Sequence, residues 1–396
     1  MSGPLRLGIA GLGRAFTLML PTFARHPAIK LVAAADPRPE ARDAFASEFS
    51  ARTYATVEDL SADPSVEAIY VATPHQFHVA HVEAAARAGR HILVEKPIAL
   101  TLADCDRMIA AAAASDVHLL VGHSHSFDTP YLEAARLIAS GRFGAPRMVT
   151  AMNFTDFLYR PRRPEELVTA EGGGVVFSQG AHQVDVIRLL GGGKVARVKA
   201  ATGQWDPRRP TEGAYQAFLT FENGATASLT YSGYGRFDTD ELMGWVGELG
   251  QARDPARYGS ARAALREAAT AGQETALKEK RAYGAGLLPP KAAAPTAQHN
   301  HFGVVVVCCE HADLRPMADG LHIFEDDVRT VLPLAATSIP RFEVVDELFA
   351  AVRHNRLPLH SGAWGRATLE VCLAILEAAR TGREIELRYQ VGVPAL

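Results

Sequence analysis

Five short apolar runs open the chain: Leu5–Ala10, Lys30–Ala35, Glu67–Ala72, His91–Val94 and His118–Val121, with starts 25, 37, 24 and 27 residues apart. Helix-like stretches such as Gln76–Ala88 and Thr101–Ser115 separate them. Strand and helix alternating at this spacing make βαβ units and a parallel sheet. The runs are continuous rather than alternating, as strands covered on both faces are. Each ends in a polar or Gly-containing turn: Gly11, Asp36, Thr73-Pro74, Glu95-Lys96-Pro97 and Gly122-His123. In an open α/β sheet such turns line the carboxyl ends of the strands, where ligands bind.

Beyond Pro130 the pattern changes. A helix-like segment, Tyr131–Ser140, precedes strand-like runs at Arg147–Phe154, Val195–Gly203, Tyr215–Glu222, Ala225–Tyr231, Phe302–Glu310, Leu321–Phe324 and Val328–Leu334. Asn223-Gly224 is a hairpin signal, and the short turns predict a mostly antiparallel sheet. Two helices, Arg341–His354 and Arg366–Thr381, close the chain, with Gly382 as the stop. The expected organisation is a parallel, doubly wound α/β domain over 1–127 and an α+β domain over 128–396. Residues 250–300, Ala-rich and then marked by Gly284, Gly286, Pro289, Pro290 and Pro295, read as an inserted helix and loop.

A net charge of −3 gives no footprint for nucleic acid. No run approaches the ~18 apolar residues of a membrane span, and Met1–Arg14 lacks the pattern of a signal peptide. The four cysteines read as reduced apolar residues of a cytoplasmic protein.

Gly8-Ile9-Ala10-Gly11-Leu12-Gly13-Arg14-Ala15-Phe16 follows the first strand and opens a helix. Glycines let backbone approach a pyrophosphate, and the helix end supplies aimed N–H groups. Gly11, Leu12, Gly13, Arg14 and Ala15 are therefore candidate cofactor-binding residues of a Rossmann-type domain. Asp36, 23 residues after Gly13, is placed to bond the adenosine ribose. Its charge favours NAD over NADP, while Arg38 leaves a 2′-phosphate open. The third fingerprint position is Phe16 rather than Gly or Ala, which predicts looser helix–sheet packing.

Only seven lysines occur, and Lys96 follows the run His91–Val94. An amine at that strand end can exchange a proton with a substrate hydroxyl if its pKa falls from ~10.4 toward ~7–8. A second cluster, Gly172-Gly173-Gly174 through His182 and Asp185, opens a helix with His182 and Asp185 on one face. Asp185 orients the imidazole or makes an ordinary helix contact. His123, His125, His299, His301, Glu310 and His311 lie at short spacings, but none forms a zinc-site pattern, and no metal is expected.

Gly8–Gly13, Ala72-Thr73-Pro74, Glu95-Lys96-Pro97 and Gly172–Asp185 together resemble the Gfo/Idh/MocA oxidoreductase family, over the whole chain outside about 250–300. The resemblance implies that Lys96 is catalytic and that Glu95, Thr73, Pro74, His75 and His78 contact the cofactor. It further implies that His182 faces the substrate and that an open-faced C-terminal sheet mediates homo-oligomerisation. Many members carry Asp where this chain has Ser178, so proton handling rests on Lys96 and His182.

Phe154–Pro164 places Arg160, Arg162 and Arg163 among aromatics and prolines, suited to a planar anionic ring. Val121–Asp128, Asn153–Pro164, Tyr231–Gly235, His301–His311 and Trp364–Cys372 resemble the phthalate 4,5-cis-dihydrodiol dehydrogenase branch. That resemblance implies NAD-dependent oxidation of a small aromatic dicarboxylate dihydrodiol to 4,5-dihydroxyphthalate. The expected substrate contacts are His125, Tyr159, Arg160, Arg163 and His182. A sugar- or inositol-type polyol dehydrogenase is the alternative within the family, and a nucleotide-sensing protein without turnover is a further rival.

Overall fold

The computed structural model describes residues 3–257, 259–268, 271–285, 298–335 and 338–395. They fall into two compact units: Met1–His123 with Ala276–Pro295 and Ile339–Arg366, and Ser124–Thr275 with Thr296–Ser338 and Ala367–Leu396.

In the first unit, strands β1 (Leu5–Ala10), β2 (Ile29–Ala35), β3 (Arg52–Tyr54), β4 (Ala68–Val71), β5 (His91–Val94) and β6 (Leu119–Val121) form one sheet. Its order is β3-β2-β1-β4-β5-β6, all pairs parallel. The order reverses at β1, the switch point where doubly wound sheets bind ligands. β4 is buried at every position, which explains its unbroken apolar sequence. Helices α1 (Arg14–Phe23), α2 (Pro39–Phe49), α3 (Val57–Ala62), α4 (His78–Arg87) and α5 (Leu102–Ala114) make the crossovers. Thr56 and Thr101 cap α3 and α5 by accepting from Asp59 N and Asp104 N.

Two later segments complete this unit, which is why it is not one contiguous N-terminal stretch. The helix Phe342–His354 packs on α1. The segment after it reaches β6: Val121 N donates to His360 O at 2.8 Å, and Leu120 forms an antiparallel bridge with Ser361. The sheet edge is thereby covered. Tyr283, from the inserted segment, docks on α1 and α2 through Phe16 and Phe45.

The second unit holds nine strands: β7 (Pro146–Phe154), β8 (Val195–Gly203), β9 (Ala214–Phe221), β10 (Thr226–Ser232), β11 (Val304–Cys309), β12 (Asp313–Met317), β13 (Gly320–Phe324), β14 (Arg329–Pro333) and β15 (Ile385–Glu386). Their order is β14-β13-β12-β11-β7-β10-β9-β8-β15, antiparallel except for the parallel pair β7–β10. The wholly buried helix Ala181–Gly191 packs against β7. Burial alternates along β9, as in a sheet with one covered face.

The insertion contributes helices Ser260–Glu267 and Ala271–Glu279; the loop expected around Gly286–Pro295 lies outside the described residues. All four cysteines are free thiols. Among the described residues, no helix is long and apolar enough to cross a membrane, and no group of three or more His, Cys, Asp or Glu is placed to hold a metal.

Candidate active site

The first unit carries the nucleotide end of the site. Gly11 has φ +93°, and a Cβ there would meet Ala72 C, Ala72 O and Thr73 N at 3.0 Å, so only glycine suits the turn. A Cβ at Gly13 would meet nothing within 4 Å, leaving open space before the start of α1. That helix has no side-chain cap and no acidic residue in its first turn. Its first N–H groups therefore suit a pyrophosphate. Arg14 lies in that turn beside Arg281 and Arg341; burial, then those two charges, lowers its pKa. Leu12 is buried and half-buried Ala15 follows.

Asp36 sits at the end of β2, with Arg38 folded over it (Nε to Oδ1, 2.9 Å). Leu12 N donates to Asp36 Oδ2 at 2.8 Å. These groups fit a dinucleotide: a cradle without side chains, a bare helix end, and a carboxylate beyond it.

Phe16 corrects the expectation of loose packing. It is fully buried, and its ring meets Phe45 at 5.9 Å and Tyr283 at 5.3 Å. The larger side chain is accommodated by partners, one of them 267 residues away in sequence.

Thr73 and Pro74 begin the turn after β4, and half-buried His75 follows. Thr73 Oγ1 lies 2.9 Å from His81 Nδ1. His78 lies beneath that turn. It is 1% exposed, with Nδ1 3.1 Å from Ile98 O and Nε2 3.0 Å from Thr73 O. Burial lowers its pKa to about 4 despite those carbonyls. The ring braces the Thr73 turn against the Lys96–Pro97–Ile98 turn.

Lys96 is half-buried at the end of β5, and its backbone N donates to Glu95 Oε2 at 3.3 Å. Burial raises the pKa of Glu95, against a hydrogen bond from Tyr70 and the charges of Lys96 and Arg341. The amine thus belongs to a turn held by a buried Tyr–Glu pair.

The second unit carries a buried polar cluster around His182. This residue is 7% exposed at the start of its helix. Its ring lies 5.0 Å from His125 and 5.3 Å from Phe302. Phe302 stacks at 6.2 Å on Tyr231, which stacks on Tyr215. Asp185 accepts from Ser126 and, at 3.0 Å, from Thr368.

His125 is 1% exposed. Nδ1 lies 2.7 Å from Asp128 and Nε2 3.2 Å from Glu248. Burial lowers its pKa, but the Asp128 charge and the hydrogen bonds and charge of the two carboxylates outweigh it, raising the value to about 9. Burial likewise raises Glu248, but the hydrogen bond and charge of His125 and the charge of Arg160 bring it down to about 2. Both ring nitrogens of His125 thus face carboxylates.

The arginines separate. Arg160 donates to Asp156 at 3.1 Å; burial lowers its pKa, but the charges of Glu248 and Asp156 raise it overall. Arg162 lies 3.5 Å over the Phe157 ring and donates to Phe157 O at 2.8 Å, and burial lowers its pKa to about 10. Arg163 is turned to Glu165 at 3.0 Å, with 37% of its side chain exposed. Two adjacent acids supply that alternative partner. Tyr159 donates to Asp206 at 3.2 Å and lies under Arg262 at 3.9 Å.

Sequence reasoning gave no role to Glu248, Asp128 or Asn300, and took His301 only as part of the metal pattern and of the His301–His311 resemblance. His301 ties the two stems of the insertion together. Gly303 N donates to its Nδ1 at 3.1 Å, so Nε2–H donates to Val246 O at 2.8 Å. Asn300 donates to Asp128 at 3.2 Å. Glu248 sits in the turn Gly247-Glu248-Leu249-Gly250, a carboxylate between two glycines.

Residues 5–123 match the family model described as an oxidoreductase family with an NAD-binding Rossmann fold, and residues 131–253 match the GFO/IDH/MocA C-terminal domain. The chain is 47% identical over 377 residues, 95% of each chain, to the 1-carboxy-3-chloro-3,4-dihydroxycyclohexa-1,5-diene dehydrogenase of Comamonas testosteroni. It is 28% identical over 197 residues, 50% of this chain and 58% of the other, to the myo-inositol 2-dehydrogenase of Thermotoga maritima. A crystal structure from Bordetella bronchiseptica RB50 superposes with a TM-score of 0.91 at 41% identity, covering 97% of this chain and 100% of that one.

Proposed function

The chain belongs to the Gfo/Idh/MocA family of NAD-binding oxidoreductases, and on that premise we propose that it oxidises a carboxylated ring cis-dihydrodiol to the aromatic diol. Phthalate 4,5-cis-dihydrodiol, giving 4,5-dihydroxyphthalate, is the substrate we assign first. The observation that carries this reading is the surroundings of His182. The His182 ring lies against His125 and Phe302, and Arg160, with 35% of its side chain exposed, stands among the charges of Glu248 and Asp156. Guanidinium groups match carboxylates. The Comamonas testosteroni relative, by its name, acts on a carboxylated dihydroxycyclohexadiene.

When bound, NAD supplies the hydride acceptor. In this reading Gly11, Gly13 and the start of α1 hold its pyrophosphate, and the paired Asp36 and Arg38 lie at the adenosine end. Lys96, as the neutral amine, takes the proton of the hydroxyl being oxidised. His182 hydrogen-bonds the second hydroxyl. Arg160 and Arg162 face the ring carboxylates and fix its orientation, which is much of the rate enhancement available to such a site. Loss of one carbon-bound hydrogen and one hydroxyl proton leaves a hydroxy-enone. That product tautomerises to the aromatic diol, which makes the overall oxidation favourable.

The test is anaerobic turnover by the purified protein with NAD, following reduced-cofactor absorbance. The panel is phthalate 4,5-cis-dihydrodiol, a monocarboxylated cis-dihydrodiol, a carboxylate-free cis-dihydrodiol and myo-inositol. The carboxylated rings are expected to show kcat/KM at least ~10-fold above the carboxylate-free ring. Preferred turnover of myo-inositol, or indifference to the carboxylates, would reject the assignment.

A further inference from the structure

The inserted segment returns to the nucleotide end of the first unit, and Tyr283 is its anchor. The ring is 4% exposed and meets Phe16 and Phe45 edge to face. Its hydroxyl donates to Glu48. Its backbone N donates to Leu12 O at 3.1 Å, inside the glycine turn. Gly284, at φ +76°, lies so close to α2 that a Cβ would meet Ala41 Cα at 2.8 Å. Thr17 of α1 donates to Arg281 O at 3.3 Å.

This strap bears on the cofactor through Arg38. The guanidinium spends Nε and Nη2 on Asp36 at 2.9 and 3.1 Å. Nη2 also donates to Leu12 O at 2.9 Å, and Nη1 donates to Tyr283 O at 3.3 Å. Asp36 is equally committed. Oδ1 accepts from Arg38 N and Nε, and Oδ2 accepts from Leu12 N and Arg38 Nη2. A carboxylate offers about four acceptor sites, and all four are filled from within the chain.

A carboxylate at this position ordinarily selects NAD by accepting the ribose 2′-hydroxyl and repelling a 2′-phosphate. Here the repelling charge is cancelled by a cation that the strap's carbonyl helps to hold. We propose that Arg38, held in place by the Tyr283 strap, neutralises Asp36 and makes the adenosine end of this enzyme weakly discriminating between NADH and NADPH. The insertion is then a specificity element as well as a surface segment.

Equilibrium binding, read by reduced-nicotinamide fluorescence without substrate, tests this independently of turnover. The wild type is expected to bind NADH and NADPH with Kd values within about tenfold of each other, a difference below ~1.4 kcal/mol. Arg38→Ala bares the Asp36 charge and is expected to weaken NADPH ~10-fold or more relative to NADH. Tyr283→Ala moves the ratio the same way by less, and Tyr283→Phe, which keeps the ring, leaves it unchanged. If Tyr283→Ala fails to fold, Tyr283→Leu carries the same comparison. A wild-type preference for NADH beyond about tenfold, or equal losses for both nucleotides in Arg38→Ala, overturns the proposal. A folded Tyr283→Ala or Tyr283→Leu with the wild-type ratio removes the strap from it.

Discussion

The Nε2 of His125 lies 3.2 Å from Oε1 of Glu248, across 123 residues of sequence, and the two titrate in opposite directions, to about 9 and about 2. Because the folded pKa of His125 exceeds its unfolded value of ~6.5, its contribution to stability is complete below that pH. It is lost as pH rises through about 9. Glu248 is depressed, so its contribution is complete above ~4.3 and is lost as pH falls toward about 2. Glu248→Gln should therefore lower the melting temperature most near pH 6. It should also shrink the loss that the wild type shows between about pH 6.5 and 9. Parallel melting curves for the two proteins over that range would remove the ion pair from the account.

Lys96→Ala should reduce kcat by ~10²–10⁴, the range for losing a positioned proton acceptor. NADH affinity should change little. Stopped-flow turnover and fluorescence binding on the same preparation separate the two effects. Equal losses in both would mark Lys96 as part of the turn's architecture.

The arginines should divide as their partners do. Arg160→Ala and Arg162→Ala should raise KM for a carboxylated dihydrodiol by ~10-fold or more, with little change for the carboxylate-free ring. Arg163→Ala, already paired with Glu165 at 3.0 Å, should leave both nearly unchanged. Steady-state kinetics on the two substrates decide it. A large Arg163 effect confined to the carboxylated ring would return that residue to the substrate.

The nine-stranded sheet leaves Met148 and Phe218 each 48% exposed. Across it, Thr150, Ser228 and Phe218 lie in one register line through β7, β10 and β9. We propose this face as the homo-oligomer contact, since such surfaces pair symmetrically. Phe218→Glu with Met148→Glu should lower the mass seen by light scattering to that of one chain. A wild type already at 42.5 kDa would end the idea.

Much of the first unit was legible because its strands are short, apolar and buried on both faces. β1 and β5 fall on the runs Leu5–Ala10 and His91–Val94. β3 escaped because Arg52-Thr53-Tyr54 has no apolar run. β12 escaped because Asp313, Arg315 and Pro316 break the pattern at a position only the sheet rationalises. In the site, Lys96 and His182 could be singled out by local sequence. Glu248 could not, because its place depends on His301 closing the insertion stems. Arg160, Arg162 and Arg163 are equivalent as sequence. What separates them is which nearby acid or carbonyl each finds after folding.

The bridge between Leu120 and Ser361 has a bearing on biosynthesis. While the ribosome is still translating the middle of the message, the nucleotide-binding half has neither its sheet-edge cover nor the Tyr283 ring that shields Phe16 and Phe45. Its last segment ends at Arg366. A fragment expressed as 1–127 would leave a raw strand edge and two bare phenylalanines for other nascent chains to meet.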